Sequence, residues 1–175
     1  MFKKIVIVLL VLVAGVVAIA LTKPDRFHVE RSASIAAPPE KVLGFITDFH
    51  SWSAWSPWEK LDPEMKRTFS GPASGIGAVY EWQGNSAVGS GRMEITAVKP
   101  VSTTIDLRFT SPMESHNTAT FALTPTGVDT NVLWSMDGPM PFVSRLMSVF
   151  VSMDSLIGKD FDTGLANLKA AAEKS

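Results

Sequence analysis

The chain opens with an unbroken apolar run, from Ile5 to Leu21, in which no residue is charged. As a helix this run would extend about 25 Å, the short end of what crosses a bilayer. Lys3 and Lys4 precede it, and positively charged flanks stay on the cytoplasmic side, so the rest of the chain is predicted to be exported. A core helix of a soluble domain would have a polar face, which this run lacks.

The apolar run has two interpretations. Its length exceeds that of most signal-peptide cores, which favours an uncleaved transmembrane anchor. Ala18-Ile19-Ala20 fits the small-x-small pattern of a signal-peptidase site, so cleavage near Ala20 and secretion is the alternative. Both interpretations place the body outside the cytoplasm, in a periplasmic or extracellular space. We assign residues 1–26 to this segment with a short linker, and residues 27–175 to one domain.

Alternating apolar and polar positions run from Phe27 to Ile35, which predicts a strand with one dry face, interrupted by Arg31. Two prolines and Glu40 then open a short helix, and a second short helical or irregular segment follows at residues 48–58. Further strand-like runs, separated by turn residues, are Lys66–Ser70, Ala78–Gln83, Gly89–Lys99, Thr103–Thr110, Asn117–Thr124 and Val128–Asp137. Tight turns join antiparallel strands, so this spacing predicts an antiparallel meander.

The last 36 residues, from Met140 onward, change period again. Apolar side chains recur every three or four positions, the pattern of one long amphipathic helix. This stripe comprises Leu146, Phe150, Met153, Ile157, Phe161, Leu165, Leu168 and Ala172. Gly158 and Gly164 lie inside this stripe. A glycine in a helix interior lowers helix stability by roughly 1 kcal/mol relative to Ala. We therefore predict a bend or a close backbone approach near these glycines.

Several segments resemble one known family. Residues 36–42 (AAPPEKV), then Asp48 and residues 52–58 (WSAWSPW), resemble the N-terminal signature of the polyketide cyclase/dehydrase branch of the SRPBCC superfamily. Residues 75–77 (GIG), 80–82 (YEW), 158–161 (GKDF) and 164–169 (GLANLK) are similar to the same group. The resemblance covers Phe27 to Glu173. It implies an α+β helix-grip (START/Bet v 1-like) fold, in which a curved antiparallel sheet of about seven strands wraps around a long C-terminal helix, with two short helices after the first strand.

The same architecture implies a cavity between the sheet and the long helix. The apolar positions of the strands and of the helix stripe would face each other across it. The candidate lining residues are Tyr80, Trp82, Met93, Phe121, Trp134, Met136, Phe150, Met153 and Ile157. Met packs adaptably and would suit varied apolar ligands. A filled core explains the same pattern, because alternation reports burial and not empty space.

Composition excludes several kinds of site. The chain has no Cys, so it has no disulfide, thiolate metal site or cysteine nucleophile. His28, His50 and His116 are far apart and fit no metal-binding spacing, so we predict no metal and no cofactor. Beyond the linker, acidic residues outnumber basic ones and no Lys/Arg cluster occurs, which argues against a nucleic-acid partner.

The charged residues of the strands form no recognisable catalytic site. Glu94, Asp106 and Arg108 fall on polar positions, which predicts charge pairs on the outer sheet face. Near strand ends, Glu114, His116 and Asp137 could approach a cavity mouth, but nothing else marks them as catalytic. The Trp residues at 52, 55 and 58 would share one side of a helix. They would cap the sheet, gate the cavity or contact a membrane interface, where Trp is enriched.

Three functions are compatible with this pattern. The first is non-catalytic binding of a hydrophobic small molecule or lipid in the cavity, beside the membrane. The second is a cyclase- or hydratase-type enzyme, as the family resemblance suggests, although no catalytic constellation is visible. The third is an interaction module that uses the fold without a cavity. A cavity with a paired acid and base would favour the second, and a closed interior the third.

Overall fold

The computed structural model describes residues 2–174. An N-terminal helix, α1 (Phe2–Thr22), leads into seven strands and three further helices. The strands are β1 (Arg26–Ile35), β2 (Lys66–Ser70), β3 (Val79–Gln83), β4 (Ser90–Lys99), β5 (Ser102–Ser111), β6 (Ser115–Thr126) and β7 (Asp129–Pro139). The helices are α2 (Pro39–Thr47), α3 (Phe142–Met147) and α4 (Met153–Glu173), with two 3₁₀ helices at Phe49–Ala54 and Pro57–Lys60.

The strands form one antiparallel sheet in the order β1-β7-β6-β5-β4-β3-β2. Strands β2 to β7 follow one another as the predicted meander, because their short turns can only join antiparallel neighbours. β1 then pairs with β7, placing Arg26 opposite Pro139 and Ile35 opposite Thr130. This pairing brings the end of α1 next to the point where β7 leads into α3.

α4 packs across the concave face of the sheet, against β1 and the 3₁₀ helices. Its buried residues follow the predicted three-and-four spacing and comprise Phe161, Leu165, Leu168 and Ala172, with Gly158 and Gly164. The predicted α+β helix-grip fold is therefore confirmed. The core forms where this stripe meets the inward side chains of the strands, such as Ile95, Ile105 and Val132.

Both glycines of α4 lie where other side chains approach the helix closely. A Cβ atom at Gly164 would be 2.8 Å from the Trp134 ring and 3.2 Å from Pro57. A Cβ atom at Gly158 would collide with the guanidinium of Arg31. That guanidinium crosses the helix to reach Asp154 at 2.7 Å and Asp162 at 3.3 Å. Arg31 interrupts the dry face of β1 because it pairs with α4.

One prediction about the C-terminal region was wrong. The stripe does not belong to a single helix from Met140, because α3 ends at Met147 and α4 begins only at Met153. Ser152 caps α4, and its hydroxyl accepts a hydrogen bond from the Ser155 backbone N–H at 3.1 Å. Serine hydroxyls that bond nearby backbone groups favour helix starts over helix interiors. This cap starts α4 as a separate helix, although the apolar spacing continues from α3.

Candidate functional site

A cavity of about 520 Å³ lies between the sheet, the 3₁₀ helices and the first half of α4. Its wall is largely apolar and carries aromatic and Met side chains from five strands and from α4. The volume is typical of small-molecule sites in proteins. Inward-facing side chains therefore do not fill the whole interior, and the sheet and the helix enclose empty space at this end of the domain.

Seven of the nine candidate residues line this cavity, and their contribution to ligand binding stays a prediction. Five come from strands and two from the start of α4. They are Tyr80, Trp82, Met93, Trp134, Met136, Met153 and Ile157. Ala119, on the same side of β6, lies on the wall between them. Because alternate side chains of a strand point to opposite faces, the alternation predicts that the five strand residues lie on the concave face.

The other two candidates lie elsewhere. Phe121 is fully buried in the solid part of the core, where its ring stacks on Trp134 at 4.9 Å and meets Trp55 edge-on at 6.0 Å. Phe150 lies in the turn between α3 and α4 and is 73% exposed. It faces solvent because the helix expected to carry it ends at Met147. Neither residue is on the cavity wall.

The tryptophans at 52, 55 and 58 form the boundary between core and cavity. Trp52 and Trp55 are buried, and their indole N–H groups donate to the carbonyls of Ile46 (3.0 Å) and Phe45 (3.1 Å). Trp58 lines the cavity and contacts the Trp134 ring edge-on at 5.8 Å. Their hydrogen bonds give the first two rings a structural role, and Trp52 borders the cavity as Trp58 does.

A polar cluster that the sequence analysis missed lies on the cavity wall. Tyr80 donates to Glu59 Oε1 at 2.6 Å, and Arg67 donates to Glu59 Oε2 at 2.7 Å. Burial raises the pKa of the Tyr80 phenol, and its hydrogen bond to Glu59 raises this pKa further. The Glu59 side chain is only 8% exposed. No sequence pattern links these residues, because they come from a 3₁₀ helix and two strands.

Two buried polar atoms on the cavity wall have no hydrogen-bond partner among the described residues. They are the Asn117 side-chain oxygen, an acceptor, and the Trp134 indole N–H, a donor. The Asn117 amide nitrogen donates to Ser115 at 3.1 Å, so only its oxygen is unpaired. Unpaired buried polar groups are costly and rare in native proteins. Neither atom has surface open to a water-sized molecule, so both are enclosed by the wall and do not face the empty space.

The ionisable residues near strand ends divide between the two faces of the sheet. Glu114 lines the cavity at its mouth. Asp137 pairs with His28 at 2.8 Å, and His116 pairs with Asp106, both on the outer face. The hydrogen bond with Asp137 raises the pKa of His28. The two His–Asp pairs thus lie outside the cavity. Within residues 2–174, no cluster of His, Asp or Glu could hold a metal ion.

The outer face also carries the predicted charge pairs. Arg108 donates to Asp106 at 2.7 Å, and Arg92 lies 2.8 Å from Glu94. Partial burial acts to raise the pKa of Asp106, but hydrogen bonds from Arg108 and His116 outweigh it and hold the pKa below its ordinary value. These carboxylates stabilise the sheet surface and do not reach the cavity.

The profile of one protein family, described as "Polyketide cyclase / dehydrase and lipid transport", matches residues 26–173. The match covers the whole body from the start of β1 to the end of α4. The chain belongs to this family. A search of curated protein sequences found no significant match to this polyketide cyclase/dehydrase family member.

Solved structures share the fold of this family member at low sequence identity. The Zhui aromatase/cyclase from Streptomyces sp. R1128 is 15% identical with a TM-score of 0.61, covering 85% of this chain and 94% of that chain. The Aha1 dimer from Colwellia psychrerythraea is 17% identical with a TM-score of 0.60, covering 85% and 97%. Ara h 8.0201 is 12% identical with a TM-score of 0.57, covering 86% and 99%. These likenesses establish a Bet v 1-like fold.

Proposed function

We propose that the protein binds a hydrophobic small molecule or lipid in the cavity between the sheet and α4, without catalysing a reaction. The observation that carries the proposal is the 520 Å³ of empty space behind an apolar wall. A solid core would give the same alternation of residues but no such space. The family description, which includes lipid transport, supports a ligand of this class.

Burial of apolar surface would provide most of the affinity. Each methylene group removed from water contributes about 0.8 kcal/mol, reduced by the cost of ordering the ligand. Met93, Met136 and Met153 contribute flexible side chains to the wall, and flexible thioethers adapt to ligands of different shape. The cavity therefore suits a family of related apolar molecules better than one rigid shape.

An enzymatic function is the second candidate, because Glu59 and Tyr80 place a carboxylate and a phenol on the cavity wall. The family description includes cyclase and dehydrase members, and one similar structure is an aromatase/cyclase. Both Glu59 oxygens already accept hydrogen bonds, one from Arg67 and one from Tyr80. These hydrogen bonds hold the carboxylate against Arg67 and Tyr80, in the environment of a structural ion pair. We therefore favour binding over catalysis.

We further propose that α1 anchors the domain at the outer face of a membrane. α1 has 21 residues and is long and apolar enough to cross a membrane, although a signal sequence would pass the same test. Lys3 and Lys4 before the apolar run support an exported domain. The ligand would then be met at the membrane surface, where lipids and other apolar molecules are concentrated.

A cavity-filling substitution tests the binding proposal. Ala119→Leu adds bulk to the cavity wall, so it should weaken binding of a fluorescent fatty-acid probe while changing the free energy of unfolding little. In a solid core the same change would cost about 1–3 kcal/mol. Titration with the probe and denaturant unfolding on the same samples measure both quantities.

The matched control is Ala122→Leu, the same change on the same strand but on the outer face of the sheet. It should leave probe affinity unchanged. If the parent protein does not bind the probe and Ala119→Leu destabilises it, the binding proposal is wrong and an interaction module replaces it. If Glu59→Gln abolishes turnover of a candidate substrate but keeps probe affinity, the enzyme replaces the binder.

A further inference from the structure

The body is held close to the end of α1. Only three residues separate α1, which ends at Thr22, from β1, which begins at Arg26. The Met140 backbone N–H donates to the Asp25 carbonyl at 2.6 Å, which ties this short connection to the segment that follows β7. If α1 spans a membrane, the body has no length of chain with which to move away from the bilayer surface.

α3 packs against the last turns of α1. Ala20 is fully buried there, and Val16 and Val17 are half-buried, whereas the rest of α1 is exposed. Val16 lies about 9 Å before Thr22 along the helix axis at 1.5 Å per residue. If α1 spans a membrane, an element that covers it this far from its end lies at the depth of the lipid head groups and upper acyl chains.

The segment from Phe142 to Leu156 is unusually apolar on its outside. Within the described part of the body, half of the exposed large apolar side chains fall in these fifteen residues. They are Phe142, Val143, Met147, Phe150, Val151 and Leu156. The segment contains only two charged residues, Arg145 and Asp154, so it has no net charge to oppose contact with lipid. Contiguous exposed patches of this kind mark interaction sites.

The same segment borders the cavity mouth. Pro141, Val143 and Ser144 line the cavity from the α3 side, and Met113 with Glu114 lines it from the β5–β6 turn. Met113, Glu114, Pro141 and Val143 are exposed, so this end of the cavity opens to the outside. The opening therefore lies beside the apolar segment that follows β7 and packs against the end of α1.

We propose that residues 142–156 dip into the bilayer that holds α1, and that the ligand enters the cavity directly from this bilayer. The occupant of the apolar surface is thus the lipid leaflet itself. Continuity with α1, the position of α3 along α1 and the neutral apolar exterior all favour lipid over a soluble partner. This inference rests on the proposed anchoring and adds a route of ligand entry to the proposed binding.

Single-cysteine labelling tests the contact, because the chain has no Cys of its own. Met147→Cys and Phe150→Cys lie on the proposed surface and outside the cavity wall. Val128→Cys is the matched control, since it is 84% exposed in the β6–β7 turn, at the opposite end of β7 from Pro139. Full-length variants carrying an environment-sensitive dye would be placed in phosphatidylcholine vesicles with nitroxide-labelled lipids. We expect nitroxide quenching to reduce emission at least about twofold at 147 and 150 but not at 128, because apolar faces insert about 5–10 Å.

The outcomes separate the two proposals. If flotation shows that the full chain does not stay with the vesicles, the anchoring proposal fails before the contact is tested. If the chain stays but positions 147 and 150 are no more quenched than 128, the membrane contact is overturned. If those positions are protected from water without lipid quenching and cross-link between molecules, a second copy covers the surface, which also overturns the contact.

A charge substitution tests the entry route. Phe150→Asp combined with Val151→Asp should leave affinity for the probe in detergent unchanged, because neither residue lines the cavity. Transfer of a fluorescent fatty acid from vesicles to the anchored protein should slow several-fold, since charged side chains are excluded from the acyl region. Val128→Asp is the control and should not slow transfer. Equal transfer rates in all variants would overturn direct entry from the bilayer.

Discussion

At the scale of single residues, Trp134 belongs both to the core and to the cavity wall. Its ring stacks on Phe161 at 4.0 Å and on Phe121 at 4.9 Å, and it is almost fully buried. Its indole N–H, in contrast, has no hydrogen-bond partner among residues 2–174 and no surface open to a water-sized molecule. Stacking on two aromatic rings holds Trp134 in the core, and the residue also borders the cavity.

Truncation of this ring should be costly. We expect Trp134→Ala to reduce the free energy of unfolding by about 3–5 kcal/mol, the usual cost of removing a large buried aromatic side chain. Asp106→Asn, on the outer face of the sheet, should change it by less than about 1 kcal/mol, because surface ion pairs contribute little. Denaturant unfolding of both variants measures the difference. The reverse order would show that the strand faces are inverted.

Tyr80 is the only Tyr in the chain, so its ionisation can be followed without interference. Burial and the hydrogen bond to Glu59 raise its pKa, so tyrosinate absorbance should be absent in the folded protein at pH 10. An unfolded Tyr ionises near pH 10. The protonated phenol therefore stabilises the fold fully below about pH 10, and this contribution is lost as the pH rises further.

An ultraviolet titration between pH 8 and 12 checks this expectation. Absorbance should appear together with loss of the folded signal in circular dichroism. Tyr80→Phe supplies the baseline. A reversible transition near pH 10 in protein that stays folded would mean that Tyr80 faces solvent or that the bond to Glu59 does not form.

At the scale of elements, the glycines of the helices separate intrinsic helix propensity from packing. Gly44 in α2 has open space where a Cβ atom would be, so Gly44→Ala should stabilise the protein by about 1 kcal/mol. Gly164 in α4 faces the Trp134 ring at 2.8 Å, so Gly164→Ala should destabilise it by about 1 kcal/mol or more through overpacking.

Thermal and denaturant unfolding of the two glycine variants provide the comparison. The substitution is identical and both sites are helical, so a difference in sign can only come from the surroundings. If Gly164→Ala were as stabilising as Gly44→Ala, α4 would not press against Trp134 as the structure shows.

At the scale of the whole molecule, the domain should lie outside the cytoplasm. A reporter enzyme that is active only in the exported compartment, fused to the C-terminus, should be active. A reporter that is active only in the cytoplasm, fused at the same position, is the control and should be inactive. Both expectations follow from Lys3 and Lys4 before the apolar run. Activity of the cytoplasmic reporter alone would contradict the proposed topology.

The sequence by itself indicated the antiparallel strands and the inward side of each strand. Period-two alternation with tight turns specified antiparallel strands, and side chains that alternate between faces placed Tyr80, Trp82 and Met136 on the inner one. The family resemblance implied that a curved sheet wraps around a long C-terminal helix. The strands and their inward faces are readable because they depend on local periodicity, whereas the pairing of β1 with β7 is not.

Only the tertiary structure decided which inward residues border empty space. Phe121 and Met136 share the same alternation, yet Phe121 is enclosed by tryptophan rings while Met136 faces the cavity. The Glu59–Arg67–Tyr80 cluster and the contact between α1 and α3 were likewise invisible in the sequence. They join residues that are distant along the chain, and a local pattern reports which face of an element is apolar but not what packs against that face.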